Sequence, residues 1–272
     1  MHVTTCICGC TRQTINPVGD NWHFVPQRDR GGRAAYMCPT CARSMGGYTF
    51  ENTATVGTPG CGGGFTYSIE FECNRPTPAM QAYMLKNKWA CTSDCTVDAE
   101  YKSPVFQSLN SPKKLLVTME QMQAAGEFSV GNNCGTHFNV GIIDGIGGDT
   151  MNAIRAHYNK LFGPLSDHLT RNPTDCALVF GRDLSGEWAR PWRRVLSAWE
   201  HTLFVNMQHE THLEFRAAKF RSAAQYMHMA KMCKEMVKTI LTRYDGTRDS
   251  AQKVGARLVA VFQRFAETAP RW

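Results

Sequence analysis

The 272-residue sequence lacks any apolar run long enough to cross a membrane. A spanning helix needs about 20 consecutive, predominantly apolar residues. The first ten residues also lack the basic start and the apolar centre of a secretory signal peptide. We therefore expect a cytoplasmic protein without a membrane partner, in which the 12 cysteines are reduced thiols or metal ligands rather than disulfides.

The sequence also has no internal repeat, no low-complexity tract and no block of consecutive basic residues of the kind that marks a nucleic-acid-binding arm. Its content of 43% hydrophobic and 19% charged residues is that of a globular protein. The net charge of +7 favours anionic ligands such as nucleotides. The length allows one large domain, or one domain and a small module.

Cysteines are concentrated at the start of the chain, in two clusters. The clusters comprise Cys6, Cys8 and Cys10, followed by Cys38 and Cys41. Two such clusters can supply the four thiolates of a tetrahedral zinc site, and the metal would stabilise a segment too small for a hydrophobic core. We predict a cysteine-rich module over residues 1–60 that holds structural Zn²⁺ with four of these five cysteines. Such a module could recognise a protein, a peptide or nucleic acid, and the glycine-rich residues 57–64 would join it flexibly to the rest.

Residues 65–272 are predicted to form an α+β domain with packed helices around a mainly antiparallel sheet. Strands are predicted from hydrophobic alternation over residues 67–73, 96–101, 135–143 and 208–218. Helices are predicted from capping signals and helical periodicity over residues 112–125, 150–169 with a break at Gly163, 191–201, 222–244 and 249–268. The C-terminal part of this domain is therefore helical.

Each predicted strand carries charged or polar residues on one face, because side chains alternate with a period of two. The four faces hold Glu70, Glu72 and Asn74; Asp98, Glu100 and Lys102; His137 and Asn139; and Glu210, His212, Glu214 and Arg216. One interpretation is the solvated side of a half-buried sheet. The other is a cation site, since clustered carboxylates repel one another unless cations lie among them. Oxygen ligands with an occasional imidazole suit Mg²⁺ or Mn²⁺ that bridges a polyphosphate.

Arg216 adds a second element to this pattern, because it projects from the same predicted face as Glu214. A guanidinium binds a phosphate group through two parallel hydrogen bonds. Arg216 would therefore contact a phosphate near the cation. The alternative is an ion pair with Glu214 that only neutralises the face.

Four short segments follow one another in a characteristic order. They are Ser68-Ile69-Glu70-Phe71-Glu72; Asp94-Cys95-Thr96 with Glu100-Tyr101-Lys102-Ser103-Pro104; Cys134-Gly135-Thr136-His137-Phe138-Asn139-Val140; and Leu213-Glu214-Phe215-Arg216. The set resembles the motifs of the amidoligases in the glutamine synthetase and glutamate–cysteine ligase superfamily. These motifs are Glu-x-Glu after a small residue, Asp-Gly-Ser with Glu-x-x-Ser-Pro, Cys-Gly-x-His-x-His, and Glu-Phe-Arg. The resemblance covers roughly residues 66–230.

The resemblance implies a glutamine synthetase-like catalytic domain. Such a domain would use ATP and Mg²⁺ or Mn²⁺ to join a carboxylate substrate to an amine substrate through an acyl phosphate. The substrates would be amino acids, peptides or a protein tail. Catalytic and metal-binding roles would fall on Glu70, Glu72, Glu100, His137 and Glu214. Arg216 would act in catalysis and bind the ATP phosphates, and Asn139 and Arg171 would be further cofactor-binding residues.

Two positions depart from the family pattern. Asn139 stands where the second histidine is expected, and Cys95 stands in place of a glycine. An asparagine can coordinate a cation through its carbonyl oxygen, but it cannot act as a base. This departure favours an alternative hypothesis, a non-catalytic zinc-containing binding or assembly protein with a degenerate ligase-like domain. A metal-dependent hydrolase or nuclease would use similar carboxylates without needing the Glu-x-Arg pair.

Overall fold

A computed structural model describes residues 64–92, 96–142, 146, 148–182, 204–207 and 212–270 with their side chains, and the backbone of four strands before them. These strands are β1 (His2–Thr5), β2 (Thr11–Thr14), β3 (His23–Arg28) and β4 (Ala34–Met37), which pair as two antiparallel hairpins. The predicted zinc ligands Cys6, Cys8, Cys10, Cys38 and Cys41 lie outside the described residues, as does the predicted helix over residues 191–201.

An antiparallel sheet of six strands forms the centre of the described domain. Its strands are β5 (Phe65–Cys73), β6 (Ala90–Thr92), β7 (Ala99–Lys102), β8 (Thr136–Ile142), β9 (Val205–Asn206) and β10 (His212–Phe215). Their order across the sheet is β6-β7-β5-β8-β10-β9. The predicted α+β class with an antiparallel sheet is confirmed, and the four predicted strands are direct neighbours.

Eight helices lie within the described residues. They are α1 (Pro78–Lys86), α2 (Lys113–Ala124), α3 (Gly148–Ala156), α4 (Tyr158–Leu161), α5 (Gly163–Arg171), α6 (Pro173–Phe180), α7 (Ala223–Arg243) and α8 (Arg248–Glu267). The central helix is α7, which contacts β8, α2, α6 and α8. None of the described helices combines the length and the apolar character that crossing a membrane requires.

One face of the sheet is the wall of the hydrophobic core. The alternate residues Ile69, Phe71, Leu213 and Phe215 are completely buried on this face. The Phe138 ring, also on this face, meets Tyr226 of α7 edge-on, with 6.0 Å between centroids. Burial of one such side chain stabilises the fold by about 1.5–3 kcal/mol.

The helix α7 presents an apolar stripe to this core. Buried residues recur at helical spacing along the stripe, at Tyr226, Met229, Cys233, Met236 and Ile240. The hydroxyl of Ser222 accepts a hydrogen bond from the Gln225 main-chain N–H and caps the start of α7. The predicted helices over residues 222–244 and 249–268 therefore agree with α7 and α8 to within one residue at each end.

The predicted helix over residues 150–169 is divided into three, because one-turn α4 separates α3 from α5. The first division is at His157, whose Nδ1 lies 2.6 Å from the Tyr244 hydroxyl just after α7. This contact lies between segments far apart in sequence, so helical periodicity alone did not indicate the division.

Two predicted strands are shorter than expected. Within the predicted strand over residues 208–218, β10 ends at Phe215, and residues 208–211 lie outside the described part. The Arg216 main-chain N–H still donates to the Phe204 carbonyl, at 3.0 Å, before the chain leaves the sheet. The strand predicted over residues 96–101 is β7, which begins three residues later.

Four elements after residue 64, α1, α6, β6 and β9, were not predicted, and neither were the strands β1 to β4. The start of α1 has a local signal, because Thr77 caps the helix and Pro78 occupies its first turn. The strands β6 and β9 have only three and two residues, which is too short to show alternation.

Candidate metal centre

The register of β5, β7 and β8 brings predicted polar residues together on the face of the sheet opposite the core. Glu70 lies directly across from Lys102 on one neighbouring strand and His137 on the other. Glu72 lies directly across from Glu100. Facing residues in an antiparallel pair have Cβ atoms about 4.5–5.5 Å apart, so these side chains interact.

The strand β10 extends this arrangement on the other side of β8. Asn139 faces Ser68 of β5 and Glu214 of β10, and Glu214 also faces Asn206 of β9. We call the resulting surface the polar face and define it by Glu70, Glu72, Glu100, Lys102, His137, Asn139 and Glu214. Long-range strand pairing thus joins residues from four separate sequence segments.

The polar face is largely buried. The exposed fraction is 7% for Glu72, 4% for Glu100 and His137, 5% for Asn139 and 2% for Glu214. A sheet face that is simply solvated would leave such side chains accessible, so the burial excludes that interpretation. Buried carboxylates are costly unless cations or hydrogen-bond donors surround them.

Two permanent cations partly balance the carboxylates. Lys102 Nζ lies 3.5 Å from Glu70 Oε2 and 3.7 Å from Glu100 Oε1. Arg216 Nη1 donates to Glu214 Oε1 at 2.9 Å. With Glu72 included, the four carboxylates and two cations leave a formal charge of −2, or −1 when His137 is protonated.

His137 occupies the centre of the polar face and contacts three carboxylates. Its Nδ1 lies 3.0 Å from Glu214 Oε1 and 3.6 Å from Glu70 Oε2, and its Nε2 lies 3.7 Å from Glu72 Oε1. Burial alone would lower the pKa of His137, but the adjacent carboxylates of Glu214 and Glu70 together outweigh burial and raise this pKa to about 10. In the absence of a metal cation, the imidazole therefore carries a proton at neutral pH.

The carboxylates respond in the opposite direction. Burial would raise the pKa of Glu70 and of Glu214, but the lowering effects of His137 and the nearby cation, Lys102 or Arg216, together outweigh burial, and both pKa values lie below the usual range. Both groups are therefore ionised at neutral pH. Ionised carboxylates are the form in which Asp and Glu bind a divalent cation.

Three of the five predicted metal ligands lie within reach of a single ion. Ligand atoms of Glu70, Glu100 and His137 all lie within 4.8 Å of one another. Glu72 and Glu214 adjoin this group through the contacts of their oxygens with the imidazole. The donor set of oxygens with one imidazole nitrogen suits Mg²⁺ or Mn²⁺.

Asn139 gives independent support for this fit. Its Nδ2 donates to Ser68 Oγ at 3.0 Å and to Glu70 Oε1 at 3.2 Å. Its Oδ1 is buried and has no hydrogen-bond partner in the part of the chain that the structure describes. A buried acceptor without a donor costs about 1–3 kcal/mol, and a cation on the polar face would satisfy it.

Neighbouring groups hold the carboxylates in place. Thr92 Oγ1 donates to Glu100 Oε2, and Asn206 Nδ2 donates to Glu214 Oε2, both at 2.7 Å. The main-chain N–H of Gly135 donates to Glu72. Such surrounding hydrogen bonds orient metal ligands. Thr92 and Asn206 were not predicted, because each lies on one of the two short edge strands.

Gly135 is required by the close packing of the polar face. A Cβ atom at this position would lie 2.8 Å from His137 Nε2 and 3.1 Å from Glu72 Oε2. Any larger residue would therefore displace the imidazole or the carboxylate. This accounts for the glycine two residues before the histidine.

Not every predicted residue joins the polar face. Arg171 lies at the exposed end of α5, where its Nε donates to the Asp167 carbonyl, and the structure does not bring it to the polar face. Asp98 accepts a hydrogen bond from the Arg75 main chain at the start of β7. The motif residues 94–95 and Glu210 lie outside the described residues.

The chain matches no protein-family model and no curated protein.

Proposed function

We propose that the protein is an ATP- and Mg²⁺-dependent carboxylate–amine ligase with a glutamine synthetase-like catalytic domain. The observation that carries this proposal is the buried polar face, with ionised carboxylates and an imidazole from neighbouring strands around the unsatisfied oxygen of Asn139. The four ordered motifs that resemble amidoligases supply most of these side chains. An excess of buried negative charge next to an arginine is the arrangement expected for a metal–polyphosphate site.

The side chains have distinct tasks in this proposal. Glu70, Glu100 and His137 would hold the divalent cation, which would supply charge neutralisation for the ATP phosphates. Arg216 lies at the rim, with its side chain 26% exposed, whereas Glu214 is only 2% exposed. Its guanidinium is therefore accessible to a phosphate oxygen while it keeps its bond to Glu214.

The reaction needs no side-chain nucleophile. A carboxylate is a poor acyl donor, so its oxygen first attacks the γ-phosphorus of ATP, which gives an acyl phosphate and ADP. An amine then attacks the acyl carbon, phosphate leaves with the bonding electron pair, and the amine nitrogen loses a proton as the amide forms. The protein contributes positioning and charge neutralisation to both steps.

Nucleotide binding to the full-length protein tests the proposal. We expect wild-type protein to bind ATP in millimolar Mg²⁺, and Arg216→Gln and Glu214→Gln to bind it about tenfold more weakly or worse, because each loses a charge-assisted hydrogen bond. Arg171→Gln is the matched control, since that arginine is exposed and lies elsewhere, and it should bind normally. Release of ADP with pools of amino acids and peptides then identifies the substrates. Failure of the wild type to bind ATP would refute the ligase proposal.

A second candidate function is a non-catalytic binding protein with a degenerate ligase-like domain. Asn139 favours it, because this side chain cannot act as a base and its amide is held by Ser68 and Glu70. A protein of this kind would bind Mg²⁺ and ATP but release no ADP with any acid and amine pair. In either case we propose that the N-terminal module contains structural zinc, which metal analysis of the purified protein by mass spectrometry would detect.

A further inference from the structure

A second group of charged side chains lies next to the polar face. Arg182 follows α6, and Lys219 and Arg221 lie in the segment between β10 and α7. We call these three residues the cationic cluster. The Lys219 main-chain N–H donates to the Phe180 carbonyl at 2.7 Å, which fixes the end of α6 against that segment.

The backbone at this junction is built for close approach. Gly181 ends α6 in the left-handed conformation, with φ of 67°, and a Cβ there would lie 2.4 Å from the Lys219 carbonyl oxygen. Arg221 Nε donates to the Gly181 carbonyl at 2.8 Å. Only glycine allows these two segments to pack so closely, so the three cations are held together by the fold.

The cationic cluster also reaches the loop that leads into β8. Arg182 Nη2 donates to the Cys134 carbonyl at 2.9 Å, and Lys219 Nζ donates to Asn132 Oδ1 at 3.2 Å. Cys134 directly precedes Gly135, whose N–H is bonded to Glu72. The cationic cluster and the polar face are thus adjacent, with Glu72 at their boundary.

Two members of the cationic cluster are buried, and the Glu72 carboxylate interacts with one of them, Arg182. Arg182 is 7% exposed and Lys219 is 5% exposed. Within the described part of the chain, no carboxylate forms an ion pair with Lys219 or Arg221. Burial and the neighbouring charges of Arg221 and Arg182 lower the pKa of Lys219. Buried like charges are unfavourable unless an anion lies among them.

The geometry points to an oxyanion subsite in the cationic cluster, which binds a carboxylate or phosphate group of a molecule whose reacting end lies on the polar face. The second half of this inference rests on the proposed ligase function, whereas the anion binding itself does not. A lysine and two arginines supply several hydrogen-bond donors to one oxyanion. Glu72 lies at the boundary of the two groups, because it accepts the Gly135 N–H and interacts with Arg182.

Anion binding without Mg²⁺ or nucleotide tests the subsite directly. Inorganic phosphate and succinate are titrated into full-length protein that has been dialysed free of Mg²⁺ without a chelator, and sodium chloride at equal ionic strength is the reference. Wild-type protein should bind at least one of the two probes, and Lys219→Gln should bind it about tenfold more weakly, because one charge-assisted hydrogen bond is lost. Lys219→Arg should restore most of the affinity. Lys231→Gln, an exposed lysine on α7, is the matched control and should not change it.

A folding defect in the variant at the buried Lys219 would not prevent the test. Arg221 is exposed at the rim, so Arg221→Gln should fold normally and weaken binding in the same way. The inference is overturned if neither probe binds to wild-type protein, or if Arg221→Gln and Lys219→Gln bind as the wild type does.

The source of the oxyanion follows from the same titration with Mg²⁺ and a non-hydrolysable ATP analogue at saturation. If succinate still binds and Lys219→Gln still weakens it, the subsite takes a carboxylate of the substrate. If the analogue displaces both probes and itself binds more weakly to Lys219→Gln, the subsite takes a nucleotide phosphate. If the analogue does not bind at all, the ligase proposal fails, while the titration without Mg²⁺ still decides the anion subsite.

Discussion

Magnesium should stabilise this protein, and the stabilisation should depend on Glu70. In the absence of the cation, Glu70 is held by Lys102, His137 and Asn139 at 3.2–3.6 Å, and the Oδ1 atom of Asn139 has no donor among the described residues. A cation that binds only the folded state at one hundred times its dissociation constant stabilises it by about 2.7 kcal/mol. For a domain of this size each kcal/mol raises the melting temperature by about 2–4 °C, so we expect an increase of about 5–11 °C.

Differential scanning calorimetry of protein dialysed free of Mg²⁺, and of the same protein in saturating Mg²⁺, measures this increase. Glu70→Gln keeps an oxygen for the Asn139 amide but removes the negative charge, so we expect it to lose most of the magnesium-dependent increase. Glu267→Gln is the control, because that residue is exposed at the end of α8. No chelator is used in any scan, because a chelator would also remove zinc that the proposed N-terminal module would bind. An equal increase in wild type and Glu70→Gln, or no increase in the wild type, would refute the assignment of Glu70 as a metal ligand.

Three further predictions follow from the described residues. Binding of Mg²⁺ should release close to one proton at neutral pH and should strengthen as the pH rises towards 10. The reason is that His137, with its pKa raised to about 10, must lose a proton to become a ligand. Calorimetry in buffers of different ionisation enthalpy measures the released proton, and equal heats in all buffers would contradict this prediction. Gly135→Ala should destabilise the fold by about 1–3 kcal/mol in denaturant unfolding and should weaken Mg²⁺ binding. Gly163→Ala has nothing within 4 Å of the added Cβ, so it should change neither stability nor Mg²⁺ binding. Hydrogen bonds, chiefly from Ser250, lower the pKa of Asp245 from 3.8 to about 2. The stability that Asp245 contributes is therefore present above pH 3.8 and lost as the pH falls towards 2. The difference in unfolding free energy between wild type and Asp245→Asn should shrink over that interval, and a constant difference would contradict this prediction.

The sequence predicted which residues of each strand lie on the polar face, because assigning a residue to one side of a strand needs only local information. Once β5 and β8 are recognised as strands, the period of two assigns Glu70 and His137 to one face and Ile69 and Phe138 to the other. The adjacency of these strands did not follow, because pairing of Glu70 with His137 joins residues 67 positions apart. Sheet order is decided by burial of the whole core face, which no single segment encodes.

The cationic cluster was not foreseen for a related reason. Arg182, Lys219 and Arg221 lie in irregular segments, so no periodicity relates them. The local signal was Gly181 after an apolar helix, which is a common way to end a helix in the left-handed conformation. What the glycine brings together depends on tertiary packing. Tertiary packing also places Thr92 and Asn206, because their short strands are identified only by pairing with neighbouring strands.

The alternation of the sheet separates two kinds of mutational damage. Along β5, substitutions at Ile69 and Phe71 should reduce the amount of folded protein in cells, whereas those at Glu70 and Glu72 should spare abundance more than activity. Saturation mutagenesis scored once for abundance and once for activity would then show the two profiles out of phase, residue by residue, along each strand. Because the polar side chains share their backbone with the core, evolution can change the chemistry of this protein at every second position without replacing the fold.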